Sequence, residues 1–193
     1  MALNMKERGD FCRQFAAAAL CCVAFSAIPA GNAVPKSEKG IMHLTSAAIT
    51  EGEPIPAKYT CEGKNVSPPL QWSGVPAGSK SLVLIADDPD APAGTWVHWV
   101  LYDLPVALNE LTEDLPRNQY TPAGAKQGQN SFGQLGYGGP CPPPGKAHRY
   151  FFKLYALDAQ LDLKPGATKK EIEGVMEKHV LAQAQLMGTY RRK

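Results

Sequence analysis

The chain has no block of like charge, no long hydrophobic run in its body and no metal-ligand cysteine pair. Each absence removes a class of function. Its 20 Lys and Arg against 18 Asp and Glu are scattered, for a formal net charge of +2. Without a basic stripe there is no electrostatic footprint for a nucleic acid. No Gly-x-Ser-x-Gly elbow, no His-Glu-x-x-His helix and no nucleophile beside His98 or His148 is present, which argues against a serine hydrolase or a zinc protease. Neither Cys61 nor Cys141 has a second ligand at metal-binding spacing, so no zinc site is expected. Internal repeats are absent, and no cofactor is expected. What is plentiful is turn chemistry: 17 Pro and 18 Gly stand between apolar runs in a chain of 193 residues. That pattern fits one loop-rich β domain.

The amino terminus reads as an export signal. Lys6, Arg8 and Arg13 precede the apolar run Phe15–Ala27, which is too short to span a bilayer comfortably. Gly31 and Ala33 put small side chains where a signal peptidase reads them. Residues 1–33 are therefore expected to be a signal peptide and 34–40 a linker, with the domain over 41–193 and the mature chain in the periplasm without a transmembrane anchor. Cleavage after Ser26 or Ala30, an uncleaved anchor and a buried helix are the competing readings. Removing residues 1–33 subtracts three positive and two negative charges and leaves +1. Of the 5 cysteines, Cys61 and Cys141 remain. In an oxidising compartment this even pair either bridges or stays as two separate buried thiols, since spacing alone does not give a Cα distance.

Within the body, Ile41–Ile49 alternates loosely as a first strand, and an irregular, proline-punctuated region follows. Ser81–Ala86 is nearly all apolar and ends at Asp87-Asp88, the pattern of a strand buried on both faces. Val97–Tyr102 and Arg149–Leu157 make two more central strands, separated by a long loop over Leu108–Gly145. Thr168 with Glu171 three positions on predicts a capped helix, whose apolar face runs through Ile172, Val175 and Met176 to His179-Val180. Ala184–Tyr190 predicts a closing strand.

Residues two apart in a strand share a face. Trp96 and His98 therefore point one way, as do His148 and Tyr150. Asp88 leaves its strand into Pro89-Asp90-Ala91-Pro92, a turn pinned by two prolines that need no amide donors. Ionisable groups at the ends of buried strands are costly unless partnered, so a binding site is the first reading. The plainer roles are also assigned: Asp90 caps its turn, Trp99 packs in the core on the face opposite His98, Arg149 pairs with a carboxylate, and His43 and His179 are structural.

The combination of Asp88-Pro89-Asp90-Ala91-Pro92, the strand around His98, and Gly139-Pro140 running into His148-Arg149-Tyr150 resembles the phosphatidylethanolamine-binding protein family. Within it, the bacterial branch that is similar to Raf kinase inhibitor protein fits best. The resemblance spans about Met42 to the carboxyl terminus. It implies a mainly β fold, a β-sandwich of one large antiparallel sheet and one smaller sheet with peripheral helices. It also implies an anion pocket at Asp88, Trp96, His98, His148 and Tyr150, with backbone contacts near Gly139 and Pro140. The expected ligand is a small anion or a phospholipid head group, with the two histidines donating to phosphate oxygens. Asp88 then orients a histidine, holds a proton or faces a cationic part of the ligand. The function so implied is non-enzymatic binding. An inhibitor of a kinase or protease, and a metal-dependent hydrolase built on His98, His148 and Asp88, are the alternatives.

Overall fold

The computed structural model describes residues 41–193, so the expected signal peptide and linker lie outside the described residues. Strand β3 (Ser81–Asp88) is buried along its whole length because both of its faces are covered. Leu82, Leu84 and Ala86 enter one apolar cluster, while Val83 and Ile85 enter another. Each such Leu, Ile or Val contributes about 1.5–3 kcal/mol by leaving water. Around β3 a five-stranded antiparallel sheet forms in the order β6-β4-β3-β7-β8. Its other members are β4 (Trp96–Leu104), β6 (Lys126–Gln127), β7 (His148–Leu157) and β8 (Val180–Tyr190). A three-stranded sheet, β1-β2-β5, pairs β1 (His43–Thr45), β2 (Leu70–Ser73) and β5 (Glu110–Leu111).

The first cluster fills the space between the sheets, with Leu44, Leu70, Trp72 and Leu111 meeting Leu84, Trp99, Leu101 and Phe152. The second lies on the outer face of the large sheet, where Ile172 and Met176 of α1 (Lys169–Met176) cover Val83, Ile85, Val100 and Tyr102. The fold is thus the expected mainly β arrangement of a larger and a smaller antiparallel sheet. Its peripheral helices amount, among the described residues, to α1 and two 3-10 turns, Ala57–Tyr59 and Glu177–His179.

Helix α1 begins on the predicted capping box. The Thr168 side chain accepts from the Glu171 amide, and Glu171 accepts from the Thr168 amide at 2.7 Å. It stops at Met176, earlier than the apolar pattern suggested, and His179-Val180 leads into β8. Strand β1 is also shorter than Ile41–Ile49. β2, β5 and β6 lie in stretches read as irregular, too short to show a period. Among the described residues no helix is long and apolar enough to cross a membrane.

Candidate functional site

The ends of β3, β4 and β7 meet at one edge of the large sheet. Asp88 closes β3 opposite Trp96 of β4. Where the chain turns away, the Asp90 amide donates to Asp88 Oδ1 at 2.8 Å. The other carboxylate oxygen, Oδ2, is 2.8 Å from His148 Nδ1. A carboxylate accepts, so His148 Nδ1 carries the proton and its Nε2 is left to the site. Asp88 is only 3% exposed, and these two donors compensate its burial. In this geometry the carboxylate holds the His148 ring.

His98 reaches the same place through a β-bulge. Ala86 pairs with Trp99 but Asp87 pairs with Val97, so His98 is an extra residue in β4. The extra residue puts His98 and Trp99 in succession on one face of the sheet. His98 packs edge-on against Tyr150 at 5.2 Å and Phe132 at 5.6 Å, while Trp99 enters the inter-sheet core. Trp99 is a core residue as expected, but it does not lie on the face opposite His98. His98 Nδ1 is 2.6 Å from the Gly138 carbonyl oxygen. A carbonyl can only accept, so Nδ1–H donates to it and Nε2 carries the lone pair of the neutral ring. Burial pushes the His98 pKa below its ordinary value, against the pull of the Gly138 carbonyl and the Asp88 charge. In its neutral form His98 therefore presents an acceptor, where an anion donor had been expected.

Tyr150 follows His148 by two residues on the same face of β7 and packs against His98. Among the described residues its hydroxyl is the one buried side-chain polar atom without a hydrogen-bond partner. Burial pushes its pKa far above the ordinary phenol range, and the nearby Asp88 carboxylate adds to this both by its charge and as an acceptor within loose reach, short of a formed hydrogen bond, so Tyr150 remains an O–H donor. Asp88, His98, His148 and Tyr150 line the inner part of a cavity of about 330 Å³. Its remaining walls are mostly apolar, including Pro92, Trp96, Phe132, Pro142 and Pro143.

Gly139 and Pro140 are not in that lining. The Gly139 amide is already committed, donating to Asn65 Oδ1 at 2.7 Å, and proline has no amide proton to offer. Both residues frame the site from behind. A Cβ on Gly139 would meet the Tyr59 carbonyl oxygen at 2.3 Å, so the loop approaches that segment too closely for any side chain. Asp90 also differs from expectation: it takes no part in capping its own turn by its side chain. Its carboxylate receives Arg149 Nε and Nη2 at 2.9 and 2.7 Å and the Arg149 amide at 2.9 Å. The Arg149 guanidinium holds the Asp90 carboxyl down to about 2. His43 lies on β1 of the small sheet, and His179 pairs with Asp158 at 2.8 Å, both away from the cavity.

Four contributing residues escape the sequence reading. Asn65, in a sequon-like triplet, secures Gly139. Phe132 is carried to the mouth because the backbone of Ser131 pairs with Val97 and Asn130 Oδ1 accepts the Phe132 amide at 2.9 Å. An aromatic side chain in a polar Asn-Ser-Phe-Gly stretch was the available signal. Pro142 and Pro143 form a wall because Cys141, just before them, is bonded to Cys61 with Cα atoms 5.4 Å apart. No three His, Cys, Asp or Glu side chains among the described residues come together as a metal-binding group.

Comparison with known proteins agrees with this architecture. The family model for phosphatidylethanolamine-binding protein matches residues 45–191. A UPF0098 protein of Methanothermobacter thermautotrophicus is 53% identical over 151 residues, covering 78% of this chain and 99% of that protein. A UPF0098 protein of Aquifex aeolicus is also 53% identical, over 154 residues, covering 79% and 90% respectively. Among solved structures, a Chlamydia trachomatis protein described as a PEBP homolog is 44% identical with a TM-score of 0.73, covering 80% of this chain and 100% of its own. YbcL of E. coli, described as a member of the mammalian PEBP family, is 36% identical with a TM-score of 0.74, covering 79% and 99%.

Proposed function

This chain belongs to the phosphatidylethanolamine-binding protein family, and from that premise and the geometry of its cavity we propose that it binds a phosphate-like oxyanion, borne by a phospholipid head group or another phosphate ester, without transforming it. The observation that carries the reading is the Tyr150 hydroxyl, buried and without a hydrogen-bond partner among the described residues, in a cavity shared with two histidines whose Nδ1 atoms are committed to Gly138 and Asp88. A buried donor left unpaired costs about 1–3 kcal/mol, and a ligand oxygen recovers it. His148, its other nitrogen held by Asp88, adds a charge-assisted donor when the ring carries its second proton. The apolar walls accommodate the carbon part of an ester. A binder is favoured over a hydrolase because the lining offers no serine, threonine or free thiol, Cys141 being bonded. Export to the periplasm belongs to the same proposal and is supported by the Cys61–Cys141 bond, which an oxidising compartment maintains.

Calorimetry with glycerophosphoethanolamine, a diester whose phosphate charge is constant near neutrality, tests the reading. His148→Ala removes one charge-assisted bond and should weaken binding by about 1.5–3 kcal/mol, roughly ten- to a hundredfold. Wild-type affinity should also fall as pH rises, because a diester brings no proton and only protonated rings can donate Nε2–H to it. No binding by wild type, or equal affinity in a folded His148→Ala protein, would show that the cluster is structural.

A further inference from the structure

The inner surface of the cavity does not present donors alone. Tyr150 offers O–H and His148 offers Nε2–H when protonated, but neutral His98 offers a lone pair. Its tautomer is set by the Gly138 carbonyl at 2.6 Å, which accepts and cannot donate. The ring is held edge-on by Phe132 and Tyr150 and is only 4% exposed, so an imidazolium there would be poorly hydrated. Among the described residues no carboxylate hydrogen-bonds to His98. Asp88, the nearest on β3, is committed to His148 and the Asp90 amide. Asp87 faces the opposite side of the sheet, where Lys153 and Lys169 neutralise it. On β7 the groups that face His98 are the neutral Tyr150 and His148, whose own charge, when present, disfavours a second one nearby.

A phosphodiester monoanion has acceptor oxygens and no proton to give, so one of the three uncommitted groups is left unsatisfied. A phosphomonoester monoanion has acceptor oxygens and one P–O–H. We infer that His98 is a specificity-determining residue that selects oxyanions still carrying an acidic proton, so that the cavity favours a phosphomonoester monoanion over a diester of the same charge. This rests on the anion-binding reading above. No proton changes owner: the ligand hydroxyl donates to His98 Nε2, and the ligand oxygens accept from Tyr150 and His148. The diester instead either leaves the lone pair facing an oxygen or must recruit a proton to His98.

Methyl phosphate and dimethyl phosphate make the comparison at about pH 5, one unit below the second ionisation of a phosphomonoester at about 6, where both are essentially monoanions. Wild type should bind methyl phosphate roughly tenfold or more tightly, the penalty of a buried acceptor left unpaired. In His98→Leu the ratio should fall towards one. On wild type, ring ¹⁵N shifts of His98 in the methyl phosphate complex should remain those of a neutral ring protonated at Nδ1, a readout that needs no variant to fold. Equal affinities for the two esters in wild type, or an imidazolium signature in that complex, would overturn the inference while leaving anion binding intact. A preference that survives in His98→Leu would assign it to the bulk of the second methyl group and overturn it as well. Binding of neither ester would overturn the anion reading and this inference together.

Discussion

Replacing Tyr150 by Phe deletes one oxygen, and the structure predicts opposite signs for its two consequences. Among the described residues the hydroxyl is buried and has no hydrogen-bond partner. Burying such a group unsatisfied costs about 1–3 kcal/mol, so its removal should leave stability unchanged or raise it by up to that amount, the lower end applying if solvent in the cavity satisfies it. For a domain of this size, each kcal/mol corresponds to roughly 2–4 °C in Tm. The ring itself stays, preserving its edge contact with His98 at 5.2 Å and its place in the inter-sheet core. Binding should move the other way. A hydrogen bond to a charged acceptor contributes about 1.5–3 kcal/mol, so affinity for methyl phosphate should drop roughly ten- to a hundredfold. Thermal unfolding and calorimetry on the same preparation give both numbers. A Tyr150→Phe protein that loses more than about 1 kcal/mol of stability while binding the ester as wild type does would mean the hydroxyl is structural, and the reasoning from its missing partner would fail.

Two further outcomes follow from the frame around the cavity. The Cys61–Cys141 bond joins residues 80 apart, so the Cys61→Ala, Cys141→Ala double variant should lose about 2–5 kcal/mol in urea unfolding, and an unchanged midpoint would refute a stabilising role. Burial lowers the His98 pKa from its ordinary 6.5, so on acidification the unfolded chain takes up that proton before the native one does. The stability His98 supports is complete above about 6.5 and is lost as pH falls through the folded value; His98→Leu should flatten this part of the ligand-free denaturation profile, and an identical acid slope in that variant would contradict the assignment.

How far the sequence could be read depended on how local the deciding physics was. β3, β4 and β7 were legible because an apolar run buried on two faces needs no partner to announce it. The capping box of α1 was legible for the same reason, lying within four residues. β2, β5 and β6 were not, since strands of two to four residues exist only by pairing with distant segments. The convergence of Asp88, Trp96, His98, His148 and Tyr150 on one cavity followed from strand periodicity and the family resemblance. Period two failed at the bulge, where one extra residue turned His98 and Trp99 to the same face and misplaced Trp99. The Gly139 amide could not have been assigned from its own segment, because its partner, Asn65, is 74 residues away. Asp90 was likewise read as a local cap when a distant arginine takes its carboxylate.

Consecutive aspartates at the end of β3 show how the fold separates structural charge from functional charge. Successive residues of a strand face opposite sides, so Asp87 and Asp88 are buried in different environments. Asp87 receives Lys153 at 2.8 Å and Lys169 at 2.6 Å, tying β7 and the first turn of α1 to the outer face of the sheet. Burial works against the Lys169 ammonium, and Asp87 and Glu173 outweigh it, holding its pKa above the ordinary lysine value. Asp87 is thus matched by fixed cations and has nothing left to offer a ligand. Asp88, on the inner face, is matched by a histidine and one backbone amide. A histidine can pass its charge state on through a second nitrogen, which a lysine cannot. Burying Asp88 therefore leaves a pH-responsive Nε2 at the cavity, beside an unpartnered phenol and a second imidazole of fixed tautomer. Among the described residues those three atoms are the uncommitted hydrogen-bonding groups of the inner cavity, and their mixture of donors and acceptor is what makes the protonation state of the ligand the property to measure.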